Sequence, residues 1–286
     1  MNRYIYNILV IRYYVEFDYE RVIQSCDEAI QTIPKHYPRK ADFQFAFLEK
    51  KIPALLALGR HEEAKEIARQ AGQLVSPGQF NWQLILIQRI EVCFHAGHLQ
   101  EAYDLYKAHT QYLSNFQALN EYWNILRAYL FFFIRAGKIK PYVEERFRLG
   151  KFLNELPMYS RDKAGVNINI LLVQILIEMS RGQYGRIIDR VEALGAYARK
   201  YLKRPETIRA YLFIKMIIQM NSAKFHRTAT ERKTQRLHEQ LSNAPLSVGK
   251  SITVEMVPYE VLWQEILCML DNKFRGVKVG RRLERK

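Results

Sequence analysis

The 286-residue chain is predicted to be all-α, an α-solenoid of about five to six helical hairpins followed by a C-terminal capping helix. Three observations predict it. A phrase recurs as Phe17-Asp18-Tyr19-Glu20-Arg21-Val22, Gly59-Arg60-His61-Glu62-Glu63-Ala64 and Gly97-His98-Leu99-Gln100-Glu101-Ala102, with echoes at Gly137-Lys138-Ile139 and Gly182-Gln183-Tyr184. On either side of each phrase, apolar residues recur at steps of three and four, the period of a helix face. Thirteen Gly and nine Pro are too few for an all-β or disordered chain, while 18 Tyr and 15 Phe suit the wedges between packed helices.

The elements follow in order. Tyr6, Leu9, Val10 and Tyr13 mark a first helix, and Val22, Cys26, Ala29 and Ile30 its partner across the turn. Leu48, Ile52, Leu55 and Leu56 mark the next first helix, paired with Ala64, Ile67, Ala68 and Ala71. The phrases begin at Asp18, Arg60, His98, Lys138 and Gln183, so the period runs 42, 38, 40 and 45 residues, within the range of helical repeats. Pro34, Pro77 and Pro157 stand where second helices stop, Pro141 and Pro205 where helices can begin, and Pro53 inside a first helix it should bend. Glu206–Met220 and Thr228–Leu241 read as a hairpin across Asn221–Arg227. Ser242–Met256 reads as a loop or short extended segment. Pro258–Leu270 is a strongly amphipathic last helix that caps the stack.

The stretch DYERVIQSCDEAIQTIP, Asp18–Pro34, resembles the second helix of a tetratricopeptide repeat with its closing proline. Gly59–Pro77 and Gly97–Tyr112 resemble it too, with Ala64 and Ala102 at the small position that opens the second helix. The resemblance covers residues 1–115, is weaker over 116–200 and is absent beyond. The ending is similar to larger bacterial helical-repeat proteins. The period here is longer than the family's, and bulky Val10, Ile52 and Ile90 replace its small first-helix residue. The expected division is repeats over 1–200, a helical hairpin and capping helix over 201–272, and a basic tail over 273–286. The first repeat begins without a polar cap, as the C-terminal part of a longer array would.

The resemblance implies binding along the concave surface of the first helices. Mapping repeat positions puts Tyr4, Asn7, Tyr14, Glu49, Glu91, His95, Asn124, Arg127, Arg135 and Asn169 along that groove. This set does not reproduce the Lys, Arg and Asn clamp by which members of the family hold chaperone tails.

Charge is uneven. Of the net +15, residues 199–240 carry eleven Lys or Arg against three Glu, and 273–286 carry seven against one. Arg199, Lys200, Lys203, Arg204, Arg227, Arg232, Lys233 and Arg236 form a candidate basic patch that could meet phosphates. A protein that reads bases one per repeat would keep a fixed polar pair in each hairpin; positions 49, 91 and 127 hold Glu, Glu and Arg, which is no such code.

Other motifs argue against chemistry. Ala244–Ser251, APLSVGKS, fits a loose phosphate-loop pattern, yet a phosphate loop needs a strand before it and a helix after it. A helical pattern precedes it and Ile252-Thr253-Val254 follows, so an interhelical loop is expected. His61, His95 and His98 fall at turns with no third ligand on a shared face. Glu62-Glu63 and Glu144-Glu145 read as solvated faces of amphipathic helices. Cys26, Cys93 and Cys268 are too far apart for a disulfide framework or zinc site and point to a reducing compartment. Met1–Val15 carries Arg3 and Arg12 and no small-residue cleavage site, so no signal peptide is expected. No segment approaches the roughly 20 clean apolar residues of a membrane helix. The expectation is a cytoplasmic, non-enzymatic scaffold that binds a protein or peptide, without cofactor, metal or membrane partner. The rival reading is a nucleic-acid-binding repeat protein acting through its basic C-terminal third.

Overall fold

The computed structural model describes residues 3–34, 36–113, 116–144, 146–155, 166–246, 248 and 255–279. Among the described residues there are thirteen α-helices and no strand. Packing divides the chain into two compact units. One comprises residues up to Leu130 together with Pro245–Met256; the other comprises Phe131–Ala244 and the chain from Val257 onward.

The first unit holds three hairpins: α1 (Arg3–Val15) with α2 (Tyr19–Gln31), α3 (Lys40–Ala57) with α4 (His61–Gln73), and α5 (Phe80–His95) with α6 (Leu99–Ala108). Each helix in this run packs on the next, and α3 also packs on α5. The turns are one device repeated. Phe17, Gly59 and Gly97 take φ of +58°, +70° and +75°. In each turn the following amide reaches back five residues, Asp18 to the Tyr13 carbonyl, Arg60 to Leu55 and His98 to Cys93, at 2.9, 2.9 and 2.8 Å. This is the helix-ending motif in which a left-handed residue satisfies the last orphan carbonyls. Asp18 then caps α2 by accepting the Arg21 amide at 3.2 Å. Val22, Cys26 and Ala29 on α2, and Ala64, Ala68 and Ala71 on α4, all fully buried, repeat at i, i+4 and i+7. Ala102 is equally buried. Pro53 lies inside α3, and Pro34 and Pro77 follow second helices as expected.

α7 (Gln117–Arg135) ends the first unit and begins the second. The second unit continues with α8 (Leu149–Glu155), α9 (Val166–Ser180), α10 (Tyr184–Tyr201), α11 (Ile208–Ser222), α12 (Arg227–Asn243) and α13 (Tyr259–Val279). Gly137 and Gly182 repeat the turn at φ +74° and +68°, with Lys138 reaching Phe133 and Gln183 reaching Glu178. A sixth copy stands at Lys224, φ +52°, where Phe225 reaches Met220 at 3.1 Å. It falls within the predicted Asn221–Arg227 connection and, like the turn at Phe17, is made without glycine. Phe225 is also left-handed, at φ +58°. The first buried position of α12 is accordingly Thr230, six residues past the turn residue rather than five.

Three expectations need correction. Pro141 does not open a helix: residues 138–144 and 146–148 are irregular, and α8 starts only at Leu149. Glu144 therefore lies on no amphipathic helix, and Glu145 falls outside the described residues. Third, α12 runs through Ser242 to Asn243, so the irregular stretch begins later than predicted. Pro205 does lead into α11, through a short 3-10 turn. Pro157 lies outside the described residues, as do Ser247, Gly249, Lys250 and Ser251 of the phosphate-loop string, the stretch 252–254, and the tail beyond Val279. The last helix has the predicted buried face, Tyr259, Leu262, Trp263, Ile266, Leu267 and Leu270. It packs on α9 and α11 as well as on α12. No described helix is long and apolar enough to cross a membrane.

Candidate functional site

Counted back from the turn residue of its own hairpin, the predicted groove set falls into register. Tyr4, Asn124 and Asn169 stand 13 residues before it; Asn7, Glu49 and Arg127 stand 10 before; Glu91 stands 6 before; His95 and Arg135 stand 2 before. Steps of three and four put these positions on one face of each first helix. Tyr14 lies at their edge. Tyr4, Arg127 and Arg135 are exposed, Asn7, His95 and Asn124 half-buried, and Tyr14, Glu49, Glu91 and Asn169 buried.

Within the first unit, the buried part of this face is tied together by its own polar groups. The Tyr14 hydroxyl donates to the Lys50 carbonyl, and its pKa is pushed well up by burial and by nearby anionic groups including Glu49. Gln88 donates to the Glu49 carbonyl at 3.2 Å. Gln83 accepts from the Trp123 indole at 3.1 Å and donates to the Tyr112 carbonyl at 2.6 Å.

The same unit receives the stretch Pro245–Met256. The Tyr19 hydroxyl donates to the Leu246 carbonyl at 2.8 Å, and Val248 packs into the cluster built by α1–α5. His95 Nε2 meets the Glu255 carbonyl at 3.0 Å. Glu255 and Met256 are buried, and the Glu255 carboxylate adds to the burial that raises the Tyr129 pKa. His95 is thus engaged with main chain rather than idle at a turn. His61, its ring 6.5 Å from that of His95, is half-buried as well.

In the second unit Arg135 donates to the Ser180 hydroxyl at 3.2 Å and its carbonyl at 3.1 Å, at the C-terminal end of α9. Arg209 escaped the sequence reading. Only 9% exposed, it donates to the carbonyls of Leu241 and Ala244 at 2.7 and 3.1 Å and pairs with both oxygens of Glu260 at 2.9 and 2.7 Å. One guanidinium therefore holds the last carbonyls of α12 and the first turn of α13. The available signal was a lone arginine in the apolar run that opens α11. Beside it, Phe213 stacks on Tyr259 at 4.7 Å and meets Trp263 edge-on.

The basic patch is partly assembled. Arg199, Lys200, Lys203, Arg204, Arg232, Lys233 and Arg236 are exposed, and Arg227 is half-buried between Glu231 and Asp271. Lys233 donates to the Ser222 carbonyl and hydroxyl, each at 3.1 Å, while Arg199 lines a cavity of about 670 Å³ together with Asn221 and Ser222. The two basic runs thus approach the same C-terminal end of α11, where helix carbonyls favour cations.

No cluster of three or more His, Cys, Asp or Glu able to hold a metal occurs among the described residues. Burial pushes the Cys26 and Cys93 thiols up to about 12, so at neutral pH neither is a thiolate nucleophile. Comparison with protein-family models, with curated proteins and with solved structures finds no match.

Proposed function

We propose that the protein is a non-enzymatic helical-repeat scaffold of the tetratricopeptide-like kind, which binds a protein or peptide segment on the faces of its first helices. The observation that carries this reading is the treatment of its own chain. His95, on the first helix α5, engages the Glu255 carbonyl, and Tyr19, opening the second helix α2, engages that of Leu246, while Val248 enters an apolar cluster. Side-chain grips on main-chain carbonyls, combined with apolar recesses, are the chemistry that holds a foreign peptide. The odd number and wide spacing of Cys26, Cys93 and Cys268 fit a reducing compartment. A photo-crosslinking amino acid at Arg127, in cells of the source organism, is expected to form protein adducts that survive nuclease. Adducts only to nucleic acid would reverse the reading.

Nucleic-acid binding is the second reading, favoured by the approach of Arg199 and Lys233 to one helix end. Its test is a salt titration of binding to a labelled oligonucleotide. Tight binding at physiological ionic strength that weakens when Arg199, Lys200, Lys203 and Arg204 are all replaced by Ala would establish it. The log–log salt slope should then fall by roughly 0.7–0.9 for each phosphate no longer neutralised.

A further inference from the structure

Of the ten large apolar side chains left exposed among the described residues, five lie on α1: Tyr4, Ile5, Ile8, Ile11 and Val15. Isolated exposed apolar residues are ordinary, but a contiguous stripe marks an interaction surface. Ile8, Ile11 and Val15 follow at steps of three and four, with Ile5 one step before, so they form such a stripe.

The later hairpins show what this stripe is built to meet. Ile5 stands 12 residues before its turn residue, as do Phe47 and Ile85. Phe47 meets Tyr6 of the preceding hairpin edge-on at 6.5 Å. Ile85 meets the preceding second helix so closely that a Cβ at Gly72 would lie 3.6 Å from it. Ile8 stands 9 before its turn, as does Gln88, whose amide donates to Glu49 on the preceding first helix. Phe47, Ile85 and Gln88 are fully buried in these settings, whereas Ile5 and Ile8 are 44% and 65% exposed. The face by which α3 and α5 receive a preceding hairpin is therefore apolar and open on α1.

We propose that this face docks a helical hairpin of a partner polypeptide, seated as α3–α4 is seated on α5. Its second helix would present a small residue, Gly or Ala, opposite Ile5, as Gly72 does opposite Ile85. Arg12 specifies the partner further. It stands 5 before its turn, where Ala54 and Val92 are buried, so a carboxylate on the incoming helix would meet it. That partner would compete with Glu16, which holds Arg12 at 2.8 Å in an exposed pair of little strength. Ile5 and Ile8 lie on this hairpin-receiving side of α1, whereas Ile11 and Val15 stand 6 and 2 before the turn, in register with Glu91 and His95, and border the predicted groove.

The test adds a hairpin of known sequence to the full chain. Residues 40–82 are duplicated immediately before residue 3, so that residue 3 stands 14 residues before Phe17 as residue 83 stands 14 before Gly97. We expect added helical ellipticity and about tenfold or greater slowing of amide exchange across α1, both abolished by Ile8→Glu in the added-hairpin protein. Ile8 is exposed, so that substitution leaves the parent chain folded, as its own ellipticity will check. Unchanged exchange in α1 overturns the proposal. So does an added hairpin that stays unfolded, because the same sequence folds where it precedes α5. Sedimentation of the unmodified chain covers the other occupant: we expect a monomer, and a dimer dispersed by Ile8→Glu would assign the face to a second copy instead.

Discussion

Gly97 and Gly137 make the same turn, and only one of them makes a hairpin. Both have φ near +75° and both are followed by an amide that reaches back five residues. After Gly97, α6 begins within two residues; after Gly137 no helix begins before Leu149 among the described residues. The difference lies in what comes next. Four residues past the turn stand Glu101 and Pro141 respectively, and a proline disfavours helical backbone at the residue before it. Five residues past stand Ala102, fully buried, and Tyr142, 70% exposed. Val22, Ala64 and Ile187 at that position are fully buried too. The turn is a local property of the first helix's end, whereas the second helix needs an apolar side chain that fits the tight approach. In place of α6's packing, the irregular stretch is held by Ile139 and by Phe147, which stacks on Phe131 at 5.1 Å.

Enlarging the tight position should have the largest effect. Ala64→Leu or Ala102→Leu is expected to destabilise by about 1–3 kcal/mol through overpacking, while Tyr142→Leu stays within about 0.5 kcal/mol, as exposed substitutions do. Chemical denaturation decides it, and equal costs at all three sites would break the comparison. Next come the turns themselves. Gly97→Ala and Gly137→Ala should each cost about 1–2 kcal/mol from left-handed backbone alone, since a Cβ at either position would meet nothing within 4 Å. A cost at Gly97 alone would mean that the second helix, not the turn, sets the energetics.

A smaller effect is expected from the double substitution Pro141→Ala, Tyr142→Ala. It should raise helical ellipticity by about one turn's worth, with a stability change within about 1 kcal/mol. No gain in ellipticity would show that something other than these two residues withholds the helix. The least effect concerns His61, at the start of α4. Its pKa is lowered by burial first, with His98 adding and Glu62 opposing. The unfolded chain therefore takes up this proton more readily. The stabilising contribution is complete above the ordinary value of 6.5 and is lost as pH falls below it, until the folded state is protonated as well. The slope of stability against pH below 6.5 should be shallower in His61→Gln than in the unsubstituted protein, and an unchanged slope would discount His61.

The placing of Arg127 and Arg135, both exposed, came from repeat register alone, and so did the burial of Ala64 and Ala102. Sequence by itself determined the helices other than α8, the six turns and the buried stripes of α2 and α4. Each of these rests on hydrogen bonds or spacing within a few residues, and such signals are written in adjacent positions. The Lys224 turn, inside the predicted Asn221–Arg227 connection, is equally local, although like the turn at Phe17 it has no glycine to announce it. Tertiary structure alone decided the rest. Tyr19 grips a carbonyl 227 residues away and His95 one 160 residues away. Arg209 joins α12 to α13, and α13 lies against α9 and α11 as well as its neighbour. No periodicity encodes which distant segment covers a given face: that choice follows from the shape and the polar groups a face presents once the helices have packed.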